Sequence, residues 1–533
     1  MPKIKIDEIK NIISLKYPKN LKGESLGEEK DNSAIRLYGR RYYKDQTPVE
    51  YLAELFLVFS SPKKNNGDFS YEFNLNCSGD EFPCYYPEDK IATKLFSFFP
   101  ISKLETRHPI HNKAYIQALD FIGNKITGSK EDQQETISII QSLFGGFVGV
   151  AKNRTWVTYS FLPMSSVFLA RELNWLHSKA NKNSSINEWS DAEKYFAHDR
   201  HNFMARGGEL LFLQLSNLFS NIESENLLEL LKRPEYFHLK DQVRNSEKNI
   251  TTKFTDILLD AGSPLSSIAN FVDGALVELK INKDESSKIS VNKKAMLGWV
   301  PASTNIEAML FAIEIDNICC SRIGTMDKLE LLQILCCMQV LRSLCFQARR
   351  IDYSEKETIG FVGNYAWIFS DNEAKIGAPT RKISEASFNY IEALLYRVLR
   401  NKLVVGSGSK VEADKHGFQI FRKIAKEIGM VIPLNGSGQR FSLHQGLLRF
   451  LVAAVIRPNE RIRLTTFYQR VFAHYGIALG GEQLTVALAW NGTETDDSSY
   501  AASSSTAWVE EALQQGGFLV ELSDAVSMVK NPG

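Results

Sequence analysis

In AHDRHNFMARGGELL (197–211) two histidines, His198 and His201, stand three residues apart. On a helix that spacing puts both imidazoles on one face. Glu209 follows eight residues after His201 and falls near the same face. Two ring nitrogens and a carboxylate are a donor set for a transition metal. The same spacing also makes His198, His201, Asn202 and Arg206 a polar stripe for structural or interaction contacts. Gly207 and Gly208 after it permit close approach of another backbone. A second chemistry is carried by LLDAGSPLSSIANFVDGALVELKINK (258–283). Asp260 or Asp273, followed by Glu278 and Lys280 on a β-like run, could hold Mg²⁺ with the acids, while the lysine orients water or steadies a phosphate. The alternative is an exposed strand with alternating side chains.

Other chemistries lack their residues. SLFGGFVGVAKNR (142–154) has glycines near Lys152 and Arg154, but not the spacing or the terminal Lys-Ser/Thr of a phosphate-binding loop. The sequence contains no Gly-x-Ser-x-Gly elbow and no Cys-x-x-Cys pair. Five of the seven cysteines (Cys319, Cys320, Cys336, Cys337, Cys345) sit among Leu, Ile and Met at helical spacing, which predicts buried free thiols. Cys77 and Cys84 read as loop residues. RHPIH (107–111) repeats the histidine spacing, but Pro109 predicts a loop. No cofactor or bound metal is expected.

These residues need elements to position them. DQTPVEYLAELFLVFSS starts a helix with Thr47 as N-cap, Pro48 at the first position and Glu50 closing a capping box. Leu52, Leu55, Phe56 and Phe59 form its apolar face. YEFNLNC (71–77) reads as a strand. RLYGRRYYK (36–44) mixes arginines with tyrosines, a pattern that binds single-stranded nucleic acid or forms a surface strand with its tyrosines inward. Helices are predicted for EDQQETISIIQSLFGG, for FLPMSSVFLARELNWLHSKANKNSS (161–185), for two segments between 195 and 232, and for SEASFNYIEALLYRVLRNKL. GALVELKI and IGFVGNYAWIFS read as β, and VVGSGSK (404–410) as a linker.

The C-terminal part carries the strongest asymmetry. Residues 410–475 hold eleven Lys or Arg against four acids, whereas 482–533 hold eight acids against Lys530 alone. Elsewhere the charge nearly cancels, the whole chain standing at +1. The basic stretch predicts phosphate attraction through Lys423, Lys426, Arg440, Arg457, Arg461, Arg463 and Arg470. The acidic segment could fold back on it or bind a basic partner. After the low-complexity run 491–507, WVEEALQQGGFLVELSDAVSMV predicts a helix, a Gly-Gly stop and a strand, a unit that docks on its own protein or on a partner.

Four resemblances follow from these residues. The order helix, hairpin around NGSGQ, helix, basic turn, helix from Thr465 resembles a winged helix over about 70 residues. Asp, then Glu-x-Lys on a strand, is similar to the Mg-dependent restriction-endonuclease class. His198-Asp199, with His177 upstream, resembles HD-type phosphohydrolases, although DAEKYFA replaces their apolar run. YKDQTPVEYLAELFLVF and HDRHNFMARGGELLFLQL look like segments of uncharacterised proteins coded in bacterial anti-phage defence clusters. That last resemblance implies a cytoplasmic protein working on foreign DNA with partner proteins such as a helicase or nuclease.

The expected fold class is mainly α with smaller α+β parts, multidomain. The segments are a mixed α/β N-terminal domain (1–130), a helical domain (131–245), a mostly helical core domain with a few strands (246–403), a winged-helix-like basic module (410–490) and a flexible acidic segment (491–533). No secretory signal and no apolar run of membrane length stands out, LLRFLVAAVI (447–456) being the longest tract, so no membrane association and a cytoplasmic location are expected. The leading expectation is a non-catalytic, nucleic-acid-associated subunit of a complex. The competing ones are a Mg-dependent nuclease and a protein-interaction scaffold.

Overall fold

The fold is that of a computed structural model, which describes residues 32–39, 42, 46–64, 70–75, 83–87, 89–90, 109–145, 169, 171–172, 174–175, 196–197, 207–259, 267, 295–352, 360–492, 507–521 and 527–531. Among them the helices run in order α1 (Ser33–Tyr38), α2 (Pro48–Ser60), α3 (Pro109–Lys125), α4 (Lys130–Gly145), α5 (Gly207–Ser220), α6 (Glu225–Leu230), α7 (Lys240–Leu259), α8 (Asn305–Cys320) and α9 (Thr325–Ile351). They continue with α10 (Pro379–Val398), α11 (Lys410–Lys415), α12 (Phe418–Glu427), α13 (Gln445–Val455), α14 (Leu464–Tyr475), α15 (Gly481–Asn491) and α16 (Ala507–Gln515). The strands are β1 (Cys84–Tyr85), β2 (Asp89–Lys90), β3 (Arg171–Glu172), β4 (Asn174–Trp175), β5 (Phe196–Ala197), β6 (Ala295–Met296) and β7 (Trp367–Ile368). Then come β8 (Ser370–Asp371), β9 (Val431–Ile432), β10 (Arg440–Leu443), β11 (Arg461–Arg463), β12 (Ile477–Ala478), β13 (Leu519–Glu521) and β14 (Ser527–Lys530). The protein is mainly α, and among the described residues its strands form sheets of two or three, as periodicity predicts.

The chain divides into two compact units, each drawn from separated stretches: Met1–Lys44 with Leu210–Lys253 and Gly298–Gly533, and Asp45–Glu209 with Phe254–Leu297. These divisions cut across the consecutive segments expected from sequence. Residues 410–490 belong to the same unit as α8, α9 and α10.

In the first unit α9 is the core. By length and composition it could cross a membrane, yet 89% of its apolar window is buried inside the protein. A helix apolar on every side must be covered on every side, and α1, α8, α10 and α12 pack against it. Its cysteines Cys336, Cys337 and Cys345, with Cys319 on α8, are buried free thiols, and burial pushes their pKa up; Cys320 is free but exposed. The hairpin expected around NGSGQ forms: β9 pairs antiparallel with β10, Ile432 opposite Arg440, while β8 joins the other edge of β10 in parallel. β7 and β12 form a separate parallel pair. The run 36–44 departs from the surface strand. Asn32 accepts the Ala34 N–H at 2.8 Å and starts α1, which buries Ile35, Leu37 and Tyr38. Tyr42, beyond the helix, is also buried, so Tyr38 and Tyr42 point inward, Tyr38 from a helix rather than a strand, while Tyr43 lies outside the described residues. The linker-like run does not hang free: Val404 is buried and the Gly406 N–H donates to Ser33 Oγ at 3.3 Å.

In the second unit α2 forms as its signals require, with the capping box of Thr47 and Glu50 in place. Its apolar face is wider than one stripe, since every residue from Val49 to Ser60 is buried. Phe56 and Phe59 pack edge-on against Phe254 with centroids at 4.8 and 5.5 Å. Lys63 Nζ closes the far end by donating to the carbonyls of Val58, Phe59 and Ser61 at 2.6, 3.2 and 2.8 Å.

Four sequence expectations fail in this unit. Residues 71–75 form no strand; Phe73 instead anchors that stretch against Phe59 at 4.9 Å. The helix expected over 161–185 is interrupted by β3, which pairs in parallel with β2, and by β4, antiparallel to β5. Cross-strand partners from distant sequence override local helical periodicity there. Pro109 opens α3 rather than a loop, the helix position where its missing N–H costs nothing. Cys84 lies in β1, paired with β6.

Candidate functional site

The sequence candidates separate sharply. His198, His201, Asn202 and Arg206 lie outside the described residues, as do Asp260, Asp273, Glu278 and Lys280. Among the described residues no group of three or more His, Cys, Asp or Glu could hold a metal ion.

The Gly-Gly that follows the histidine stripe is described, and it makes the close approach its sequence suggests. A Cβ on Gly208 would sit 2.3 Å from the Tyr51 carbonyl oxygen and 2.6 Å from the Leu55 nitrogen, so α2 fits only against glycine. Glu54, buried on α2, accepts the N–H of Gly208 at 2.6 Å and of Glu209 at 3.2 Å, and Gln46 accepts that of Gly207 at 3.1 Å. These are orphan donors at the start of α5. Burial, and then the charge of Glu209, push the Glu54 carboxyl up to about 8. The two strings that resemble defence-cluster proteins are therefore the two that pack on each other here.

The basic C-terminal candidates begin with a turn. Arg457-Pro458-Asn459-Glu460 reverses the chain, with Asn459 at φ 64° and the Glu460 N–H bonded to the Arg457 carbonyl at 3.0 Å. The Arg-Ile-Arg that follows alternates as a strand must. Ile462 is buried while Arg461 and Arg463 are exposed. β14 lies antiparallel to β11, bringing Val529 opposite Ile462 on the inside and Lys530 opposite Arg461 on the outside. β13 completes the sheet on the far edge of β14. The acidic segment thus folds back on the basic stretch, and α16 packs on α13.

Most of the expected cations are spent internally. Arg470 grips Glu460 through two bonds of 2.8 Å. Burial works to raise the Glu460 pKa, and Arg470, with help from Arg457, overcomes it and holds the carboxyl below the usual range. Lys423 pairs with Glu427 at 3.3 Å. Lys426 Nζ donates to the Leu434 carbonyl at 2.7 Å. Arg440 is buried and donates to the Asn372 carbonyl at 3.0 Å. Arg422 and Arg449 are neutralised by acids outside the basic stretch, Glu392 at 2.6 Å and Asp327 at 2.7 Å.

Three of the seven candidates, Arg457, Arg461 and Arg463, stand exposed on β11 or the turn before it. The Arg457 guanidinium donates to the neutral Gln242 Oε1 at 3.2 and 3.1 Å, while its backbone N–H donates to Glu460 Oε2 at 3.0 Å. Arg461 and Arg463, like Lys530, have no ion pair among the described residues. His238 adds no charge near pH 7, because burial, and then Arg470 and other neighbouring cations, push its pKa down to about 4. Lys530 was not a sequence candidate. Its signal was the alternation of SMVK, which turns Lys530 outward once Val529 turns in.

Sequence reasoning also missed a buried polar cluster. Arg342 on α9, wholly buried, donates to Glu314 Oε1 and Oε2 on α8 at 2.7 and 2.8 Å and to the His474 carbonyl on α14 at 3.0 Å. His474 Nδ1 lies 2.8 Å from Glu314 Oε1. Gln339 links the guanidinium to Gln214 on α5. Burial would raise the Glu314 pKa, but Arg342 and His474 hold it below the usual range. The cluster fastens four helices.

One surface groove of about 500 Å³ lies between α6 and the start of α7. Glu225 and Glu229 face it from α6, Lys240 and Arg244 from α7, and Phe237, 62% exposed, stands beside them.

No family model, curated protein or solved structure matches this chain.

Proposed function

We propose that this protein is a nucleic-acid-associated subunit of a larger assembly, contacting the phosphate backbone through the outer face of the β11–β14 sheet. The observation that carries this reading is the set of outward cations Arg457, Arg461, Arg463 and Lys530, none in an ion pair among the described residues, while Lys423 and Arg470 nearby are paired. Such contacts supply affinity and position rather than sequence preference. The defence-cluster resemblance adds the proposal that the nucleic acid is foreign DNA, bound in the cytoplasm beside a partner helicase or nuclease. The β9–β10 hairpin and the helices after it support a winged-helix-like reading of this region.

Four phosphate contacts make the binding steeply salt-dependent, with affinity falling roughly a hundredfold between about 50 and 200 mM salt. Fluorescence anisotropy with a labelled 20-base-pair duplex measures this. Reversing Arg457, Arg461 and Arg463 to Glu abolishes the binding; affinity equal to wild type overturns the proposal. Mg-dependent degradation of plasmid by the purified protein, lost in Glu278→Ala, would instead establish the nuclease reading.

The groove between α6 and α7 favours a second reading, a scaffold that docks a partner peptide. Its opposed acidic and basic walls and exposed Phe237 suit an amphipathic segment carrying both charges. Partner recovery that survives nuclease treatment and is lost in Phe237→Ala with Lys240→Glu would support it.

A further inference from the structure

The outer face of β11–β14 has an unusual register. Arg461 and Lys530 are directly opposed across an antiparallel pair. Like charges so placed repel, because their Cβ atoms stand only about 5 Å apart. Among the described acids of the C-terminal segment, Glu510 Oε2 accepts from Ser527 Oγ at 3.5 Å and Glu511 Oε1 from Gln515 at 3.4 Å, and neither pairs with Arg461 or Lys530.

The attachments of that segment lie elsewhere. Ile462 and Val529 meet on the buried side. Asn531 Nδ2 donates to the Ile456 carbonyl at 2.8 Å and the Asn531 N–H to the Glu460 carbonyl at 3.3 Å, tying the chain end to the turn that feeds β11. Gln445 Nε2 reaches the Ala512 carbonyl at 3.1 Å. The segment is held by its inner face and by the turn, while its outer face opposes the pairing.

We propose that β14 (Ser527–Lys530), backed by β13, brings Lys530 into the phosphate-binding face and that both strands are held more firmly when a nucleic-acid phosphate bridges Arg461 and Lys530. This rests on the nucleic-acid reading above and adds its regulation. The bridging anion converts a repulsive pair into two attractive ones. Coupling is reciprocal, so whatever tightens the strand raises the affinity for phosphate by the same factor. The C-terminal segment is then a contributor to binding, not a competitor for the basic face.

Hydrogen exchange of the full chain, followed by mass spectrometry, tests this with a 20-base-pair duplex and, separately, with inorganic polyphosphate. In the wild type the duplex slows exchange over 519–530 several-fold. Lys530→Glu creates an opposite-charge pair with Arg461, so the strand is protected without ligand, the further gain disappears and duplex affinity drops several-fold. Lys530→Met, which removes only the repulsion, gives intermediate protection. Duplex binding with unchanged or faster exchange at 519–530 overturns the proposal, as does Lys530→Glu binding like wild type. Should the duplex fail to bind while polyphosphate still slows exchange, the phosphate bridge stands and the nucleic-acid reading falls. If neither ligand alters exchange, the bridge itself is refuted.

Discussion

Arg342 and Arg461 belong to the same compact unit and meet opposite fates. Arg342 is wholly buried, with Glu314 holding both terminal nitrogens and the end of α14 accepting a further bond. Arg461 stands in solvent beside Arg463 and opposite Lys530, with no acid partner among the described residues. A buried charge must be paired or it costs several kcal/mol, whereas an exposed charge is hydrated and free to meet a ligand. Glu54, in the other unit, shows a third outcome. Buried near Glu209, its carboxyl rises to about 8 and is largely protonated at neutral pH. Pairing, hydration and neutralisation are three answers to one electrostatic problem, and only hydration leaves a charge available for binding.

The largest effect that could break this contrast is at the buried pair. Arg342→Met strands Glu314 and lowers stability by about 3–5 kcal/mol, seen as a drop in the urea midpoint of that unit. Pairing it with Glu314→Leu recovers much of the loss; a single variant as stable as wild type would show that the cluster fastens nothing. The exposed set behaves inversely. Arg457→Glu, Arg461→Glu and Arg463→Glu together cost roughly a hundredfold or more in duplex affinity while each shifts stability by only about 0.5 kcal/mol. A triple variant that unfolds early would merge the two classes.

The Glu54 carboxyl makes stability depend on pH. Its folded pKa of about 8 lies above the ordinary value of 4.5, so the folded state holds a proton that the unfolded chain releases. Its contribution is full below about pH 4.5 and is lost as pH rises to 8. Thermal melts between pH 5 and 8 should fall in the wild type and fall less in Glu54→Gln, which keeps an acceptor for the Gly208 N–H; parallel curves would remove Glu54 from the account. The smallest expected effect sharpens the comparison. Duplex affinity stays flat between about pH 5.5 and 8, because the basic face carries guanidinium and ammonium groups and His238 titrates near 4. A rise in affinity on acidification towards pH 6 would mean that a histidine takes part.

Legibility in the sequence followed the range of the forces involved. The capping box of Thr47 and Glu50 acts within four residues, and α2 starts where it predicts. The hairpin around NGSGQ and the helix, Gly-Gly and strand of the C-terminal segment were readable for the same reason. The charge excess of residues 410–475 was real but misleading as a surface, because Arg422 and Arg449 are neutralised by Glu392 and Asp327 from other helices. β3 and β4 interrupt a stretch of helical periodicity because their partners lie far along the chain. Lys530 had no mark of its own until β14 found β11.

The sequence by itself determined that α2, α4, α9 and α10 are helical, where α2 begins, that the cysteines on α9 are buried, and that Gly207-Gly208 admits a close neighbour. Those follow from propensity, capping and periodicity, which need only nearby residues. Tertiary structure alone decided that α2 is that neighbour, that Arg342 is enclosed, that Arg440 turns inward and that Lys423 and Arg470 are paired. It also set Lys530 opposite Arg461. Pairing and desolvation depend on which distant groups come within a few ångströms, and a linear chain does not state that until it is packed.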